Sequence, residues 1–399
     1  MMAATFCSAE VADEAKSAAR VRLERIQSLR KERPNDGVLI FYEAITRIGL
    51  GERDPAFVLL RSLQGRKLGL IPVRDTGFEA VWDDSEFQTI RKKLADEEER
   101  TPDAPVTFRL TDPKLVPEGI AYDPKRERLF IGSVAQKKIT IASPGGDVKD
   151  FSGSKDNLDC VLGLFVDGAN EQLYAVSTNG FLDEAQKQRR NAIVRYDLKT
   201  GRLKGRCDAP EAGQLNDLTI AADRTIYATD SANGTLFRKA PAEKELKPFG
   251  AKGALPGANG ITLGADGILY VAISTGIARI DLSTGAPTRL PQPDTVVTGG
   301  CDGLYSDKDG LIGIQNVTNP GRVIRIALAD QGTRISAVTV LQSHHHPEFS
   351  EPTTGAIAGD VFLTLANSYV SHFQPNGIIK DPEQLKPTAI IAVPIGSKK

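Results

Sequence analysis

The chain has 399 residues, long enough for more than one ordinary domain and a large core. Its 50 basic and 51 acidic side chains nearly cancel, so there is no electrostatic case for nucleic acid or an anionic membrane as partner. No apolar run reaches the roughly 18 residues that span a bilayer, and 37 Gly with 23 Pro fit a turn-rich β protein.

The elements follow in chain order. Met1–Glu10 (MMAATFCSAE) has small residues like the cleavage end of a secretory signal but lacks a basic start and a long apolar stretch. A trimmed signal and a periplasmic or secreted location are expected from it, with a cytoplasmic start as the alternative. Ala12–Lys31 is rich in Ala, Glu, Arg and Leu and reads as helix, stopped at Pro34-Asn35-Asp36-Gly37. Val38–Ile48 is apolar at helical spacing. Ala56–Leu63 follows Asp54-Pro55, and Ser85–Glu99 carries Phe87, Ile90 and Leu94 on one face. The segment from Gly77-Phe78 to Phe87 resembles the end of a bacterial tetratricopeptide-type unit. A plain helical hairpin packed on the next domain is the simpler reading. Residues 1–100 are therefore a helical region, a possible dock for a protein partner, and 101–105 a Pro-containing linker.

Beyond the linker the hydrophobic period changes to two. Six segments share one layout, beginning at Glu118, Leu162, Asn216, Asn259, Asp302 and Thr354, spaced 44, 54, 43, 43 and 52 residues apart. Each has a slot residue, usually then Gly or Asp, an apolar tripeptide, a turn and a second β-rich run such as LIGIQN (Leu311–Asn316). Such a repeat predicts a mainly β fold, a six-bladed β-propeller over residues 106–399. The last unit has no room for a fourth strand, so Val106–Thr111 is expected to close the sixth blade and cover its edge.

Equivalent slots of a propeller surround one axis, so Glu118, Asn216, Asn259 and Asp302 are expected to converge. Two carboxylates and two amide oxygens are hard donors, suited to one divalent ion. Calcium comes first, with zinc, manganese or magnesium as alternatives. Turn-capping by Asn and Asp at strand starts explains any one slot, but explains four of six poorly. The long departures from the repeat, Asn179–Asn191, Gln342–Pro352 and Asn367–Thr388, fall on the slot face. Cys7, Cys160, Cys207 and Cys301 show no CxxC pairing, and sequence does not pair them.

Pro117-Glu118-Gly119, Leu215-Asn216-Asp217, Ala258-Asn259-Gly260 and Cys301-Asp302-Gly303 resemble, at matching blades, the regucalcin (senescence marker protein)/gluconolactonase family of six-bladed propellers, relatives of the paraoxonases. The resemblance covers roughly residues 106–399. It implies that Glu118, Asn259 and Asp302 bind the metal and that Asn216 completes the site or touches substrate. Two departures stand out. Gln214 occupies the place of an Arg that contacts sugar in many gluconolactonases, and Leu162 the place of a paraoxonase histidine. His344, His345 and His346 sit instead in the loop entering the last blade, where His346 to Gly355 resembles uncharacterised bacterial relatives.

The expected activity is metal-dependent hydrolysis of a lactone or related ester. Asp302 would act on the attacking water, and His346 or His345 on the leaving oxygen. Gln214, Asp217, Leu162, Thr354 and His344 would face a small-molecule substrate. No GxSxG elbow in a suitable context and no nucleotide-binding glycine motif offers another chemistry. The rival reading is a non-catalytic binding propeller with a structural calcium ion. A metal-free propeller of the strictosidine-synthase kind fits the oxygen set less well.

Overall fold

The computed structural model describes residues 2–143, 148–308 and 310–396, with side chains from residue 15 onward. The side chains of Met1–Glu10, Cys7 included, and the localisation reading built on them lie outside the described residues. Among the described residues no helix is long and apolar enough to cross a membrane.

The chain divides into two compact units. The first comprises residues 1–100 with two later segments, 292–297 and 317–320. Its helices are α1 (Met2–Glu32), α2 (Gly37–Gly49), α3 (Arg53–Ser62) and α4 (Ser85–Asp96). Asp36 caps α2 by accepting from the Val38 and Leu39 amides, at 3.1 and 3.4 Å. Asp84 caps α4 in the same way. Helix α3 starts ahead of Pro55 rather than after it, because first-turn amides have no helical acceptor and a proline there costs nothing. Phe41, Phe57, Phe78 and Phe87 form an aromatic core, and Val297 joins the same cluster. The late segments are also hydrogen-bonded in: the Ile71 amide donates to Thr318 O at 2.9 Å, and Asn319 Nδ2 to Gly69 O at 2.9 Å.

Buried charge in this unit is paired. Glu43 is 3% exposed. It accepts from Arg30 and, at 2.9 Å, from Arg47. Burial alone would raise its pKa, but these two guanidinium groups outweigh burial and hold it below the usual range.

The second unit is mainly β, a propeller of six four-stranded antiparallel sheets. The innermost strands are Pro117–Asp123, Cys160–Asp167, Leu215–Ile220, Ile261–Leu263, Cys301–Asp307 and Gly355–Ala358, here called the inner strands of blades 1 to 6. Each blade alternates apolar residues, so the core lies between neighbouring sheets, as with Phe130, Val161 and Tyr196. In blade 6 the outermost strand is Val106–Arg109, paired with Ala389–Pro394 in the register Val106↔Ile391 and Arg109↔Ala389.

The slots have a local device that hydropathy does not reveal. In blades 1, 2, 3 and 5 the strand register slips at the slot: between Pro117 and Gly119, Val161 and Leu164, Leu215 and Leu218, and Cys301 and Leu304. A bulge re-aims the side chain it carries. Here it frees Glu118, Leu162, Asn216 and Asp302 from the in-and-out alternation of their strands. The glycine after the slot also has a cause. A Cβ on Gly119 would stand 1.9 Å from Leu162 O of the next blade, and one on Gly260 2.3 Å from the Leu304 amide. Only glycine lets the inner strands approach this closely.

Candidate active site at the propeller axis

Neighbouring blades are tied to one another around the axis. The Gly260 amide donates to Asp302 O at 2.7 Å, and Thr229 Oγ1 to Asn259 O at 2.7 Å. Thr354 Oγ1 donates to Glu118 O. Asp217 replaces glycine after the blade 3 slot, and its carboxylate accepts from the Leu218 and Ile261 amides at 2.8 and 3.2 Å. These bonds fix the slot residues on rigid strands, which favours a precise site.

Glu118, Asn216 and Asp302 line one cavity of about 350 Å³, together with Leu162, Gln214 and Asn316. Asn259 is outside this lining, but its side chain hydrogen-bonds Asp302. The rest of the wall comes from the long loops and one residue beside them: Phe181 from the first, Glu351 from the second with Thr353 just after it, and Val370, Phe373 and Pro375 from the third. The loops hold each other. The Asp183 amide donates to Pro375 O at 2.8 Å, and Phe181 meets Phe373 edge to face at 6.1 Å. Glu351 accepts from the Ser371 amide at 3.0 Å and from Ser371 Oγ at 2.9 Å.

The floor is electrostatically unsatisfied. Glu118 Oε2, Asn316 Oδ1 and Thr353 Oγ1 are buried without a hydrogen-bond partner among the described residues. Burial, then the charges of Asp302 and Asp217, push the Glu118 carboxyl well above its usual range. Asp302 is pushed up to about 6 by burial, against hydrogen bonds from Asn316 and Asn259 that lower it. Asn316 Nδ2 donates to Asp302 Oδ2 at 2.6 Å and to Pro352 O at 2.9 Å. At the wall, burial raises Glu351 to about 6 in spite of its Ser371 bonds. Carboxylates that face one another without a cation form a site that favours positive charge. Among the described residues no three His, Cys, Asp or Glu side chains form a ready metal cluster. An ion here would draw on amide oxygens as well.

Other sequence candidates lie elsewhere. Asp217 lines a separate cavity of about 250 Å³ with Tyr305 and Gly355, and burial raises it to about 7. Thr354 is buried and engaged with Glu118 O and Thr364, so its neighbour Thr353 takes the place in the lining. None of His344, His345 and His346 lines the cavity. His346 is 4% exposed, and both its ring nitrogens are engaged: Nε2 with Ala104 O at 2.9 Å, Nδ1 accepting from the Glu348 amide at 3.1 Å. With both ring nitrogens engaged by backbone groups, neither is left to face a substrate. His345 Nδ1 lies 3.2 Å from Ser343 Oγ.

Sequence reasoning missed Asn316 and Glu351. Asn316 had a usable signal: it ends the second β-rich run of the same repeat, directly after Gln315, which pairs with the slot's neighbour Cys301. Glu351 had none, since only the folded loop brings it to the wall.

No protein-family model matches the chain, and no curated protein matches it. Solved structures do. An aldose sugar dehydrogenase from Streptomyces coelicolor, solved with PQQ bound, aligns with a TM-score of 0.50 at 13% identity over 74% of this chain and 97% of that one. A gluconolactonase from Xanthomonas campestris aligns with a TM-score of 0.46 at 19% identity over 68% of this chain and 96% of that one. A virginiamycin B lyase from Staphylococcus aureus aligns at 0.47 and 18% over 70% and 88%. At 13% identity the first likeness shows the fold alone and leaves function to the site itself.

Proposed function

We propose that the axial cavity is the active site of a divalent-metal-dependent hydrolase acting on a lactone or related ester. One observation supports this above the others: Glu118 carries a buried, partnerless carboxylate oxygen beside Asp302, walled by amide groups. The residues fit a hard cation such as calcium. Glu118 and Asp302 would supply charge, and Asn216, Asn259 and Asn316 neutral oxygens. When bound, such an ion supplies Lewis-acid polarisation of the ester carbonyl.

The remaining steps belong to the chain. Asn316 holds one oxygen of Asp302, which orients the carboxylate to take a proton from the attacking water. Glu351, with its pKa raised to about 6, keeps its proton to higher pH than an ordinary glutamate, and its protonated form donates to the departing oxygen. It takes the part the sequence reading gave to His345 or His346. Water adds to the carbonyl carbon, the carbon–oxygen single bond breaks, and the product is a hydroxy acid or an acid and alcohol. Thr353 Oγ1, unpartnered and buried, is free to hydrogen-bond substrate. Phe181, Val370, Phe373 and Leu162 exclude water and face the hydrocarbon part of the substrate.

Turnover of a lactone and ester panel with calcium, manganese, magnesium or zinc tests the reading, alongside elemental analysis of the purified protein. Asp302→Ala should lower metal-dependent kcat/KM by about 10³-fold or more. Unchanged turnover in that variant overturns the mechanism. The binding-propeller reading draws support from the inter-blade bonds at the slots, which an ion would reinforce. It predicts metal-dependent stability with no turnover on any ester, and the helical unit would then serve as the dock.

A further inference from the structure

A second cavity, of about 470 Å³, lies away from the axis between blades 2 and 3. Its charge is lopsided. Arg195, Arg206, Arg224, Lys239 and Lys244 line it, against one carboxylate, Glu243. The chain as a whole is nearly neutral, so this concentration is local. Glu243 does not neutralise it through an ion pair: its Oε2 accepts from the Ala240 amide at 2.7 Å. Arg206 pairs with Asp208 at 2.8 Å. Among the described residues no carboxylate pairs with Arg195, Arg224, Lys239 or Lys244.

Strand pairing assembles the groove. Arg195 lies between Tyr174 on one neighbouring strand and Gly205 on the other. Gly205 faces the Arg195 guanidinium, which an added Cβ would meet at 3.6 Å, an ordinary van der Waals distance. Ile193 lies opposite Cys207, and Lys239 opposite Ile226. The result is a cationic rim over a floor of Tyr174, Ile193 and Ile226, with the partly buried Cys207 thiol in the wall. Like charges gathered in one concavity repel each other, and a multivalent anion relieves that repulsion. Guanidinium groups also bind phosphate and carboxylate oxygens through charge-assisted hydrogen bonds.

We infer that this groove is an anion-binding site for a metabolite-sized ligand, one with a phosphate ester or several carboxylates attached to a small organic body. The charged rim takes the anionic groups and the apolar floor takes the body. The site is independent of the axial cavity and of any activity there.

Cys207 makes occupancy directly readable. Wild-type protein is titrated at constant ionic strength with inorganic phosphate, AMP or citrate. The melting temperature and the rate of maleimide labelling of the Cys207 peptide are followed by calorimetry and mass spectrometry. Saturable stabilisation with at least fivefold slower labelling is expected. AMP above inorganic phosphate and citrate assigns a phosphate ester, and citrate above AMP a polycarboxylate. The Arg224→Gln/Lys244→Gln double variant, altered at two exposed positions, should bind at least tenfold more weakly with unchanged circular dichroism. No effect beyond that of chloride, equal binding by the double variant, or binding of heparin alone overturns the inference.

Discussion

The two units treat buried carboxylates in opposite ways. In the helical unit Glu43 sits between Arg30 and Arg47, and its pKa is held down. At the propeller axis Glu118 and Asp302 meet amides and other carboxylates, and burial drives their pKa values up, helped at Glu118 by the charges of Asp302 and Asp217. The first arrangement balances its charge as it stands. The second needs protons or a cation. A buried acid with its counter-ions is ordinary architecture, while a buried acid without one is a candidate for work.

The contrast can be broken by the same substitution in both places. Glu43→Gln leaves two partly buried guanidinium groups short of a partner and should cost about 3 kcal/mol, read by urea unfolding of the helical transition. An unchanged midpoint would mean the pairing there contributes nothing. Glu351→Gln sharpens the catalytic half. It should lower kcat by about 10²-fold, with calcium affinity by calorimetry unchanged, because it removes a proton donor and not a ligand. A loss of metal binding instead would place Glu351 among the ligands.

The pH response follows with its sign. In chelator-treated protein Asp302 and Glu351 are raised to about 6 and Asp217 to about 7. The folded state therefore keeps protons that the unfolded chain has released. Stability from these groups is fully present below about pH 4 and is lost progressively across the window from about pH 4 to 7, as pH rises through the folded values of about 6 and 7. A fall of at least about 2 kcal/mol across it is expected, reversed by calcium. A rise over the same range would contradict the unsatisfied floor. The smallest effect is Glu118→Gln at pH 8 with chelator present. It should stabilise by about 1 kcal/mol, opposite in sign to Glu43→Gln, because it removes like-charge repulsion. Destabilisation would show that Glu118 has a cationic partner after all.

The propeller was legible because period and spacing are properties of the chain, and the slots Glu118, Asn216 and Asp302 share a cavity because equivalent strands do. What escaped depends on geometry that a one-dimensional pattern lacks. Asp217 looks like part of its neighbour's site, yet adjacent strand residues point to different sides, and it lines another cavity. His346 looked chemically available, but its nitrogens are taken by Ala104 and Glu348, one of them more than two hundred residues earlier in the chain. Glu351 reaches the site through a loop held by Ser371, and nothing in its local sequence marks it.

The pairing of Val106–Arg109 with Ala389–Pro394 has a consequence for biosynthesis. Among the described residues, the propeller strand made first is joined to the one made last. During synthesis the early strand leaves the ribosome with an open edge and waits for its partner through nearly the whole propeller. The helical unit waits too, since Val297 and Thr318 belong to it. Neither unit is complete until late in translation, so final closure is a long-range, slow step. The nascent chain is exposed to strand-edge aggregation until then.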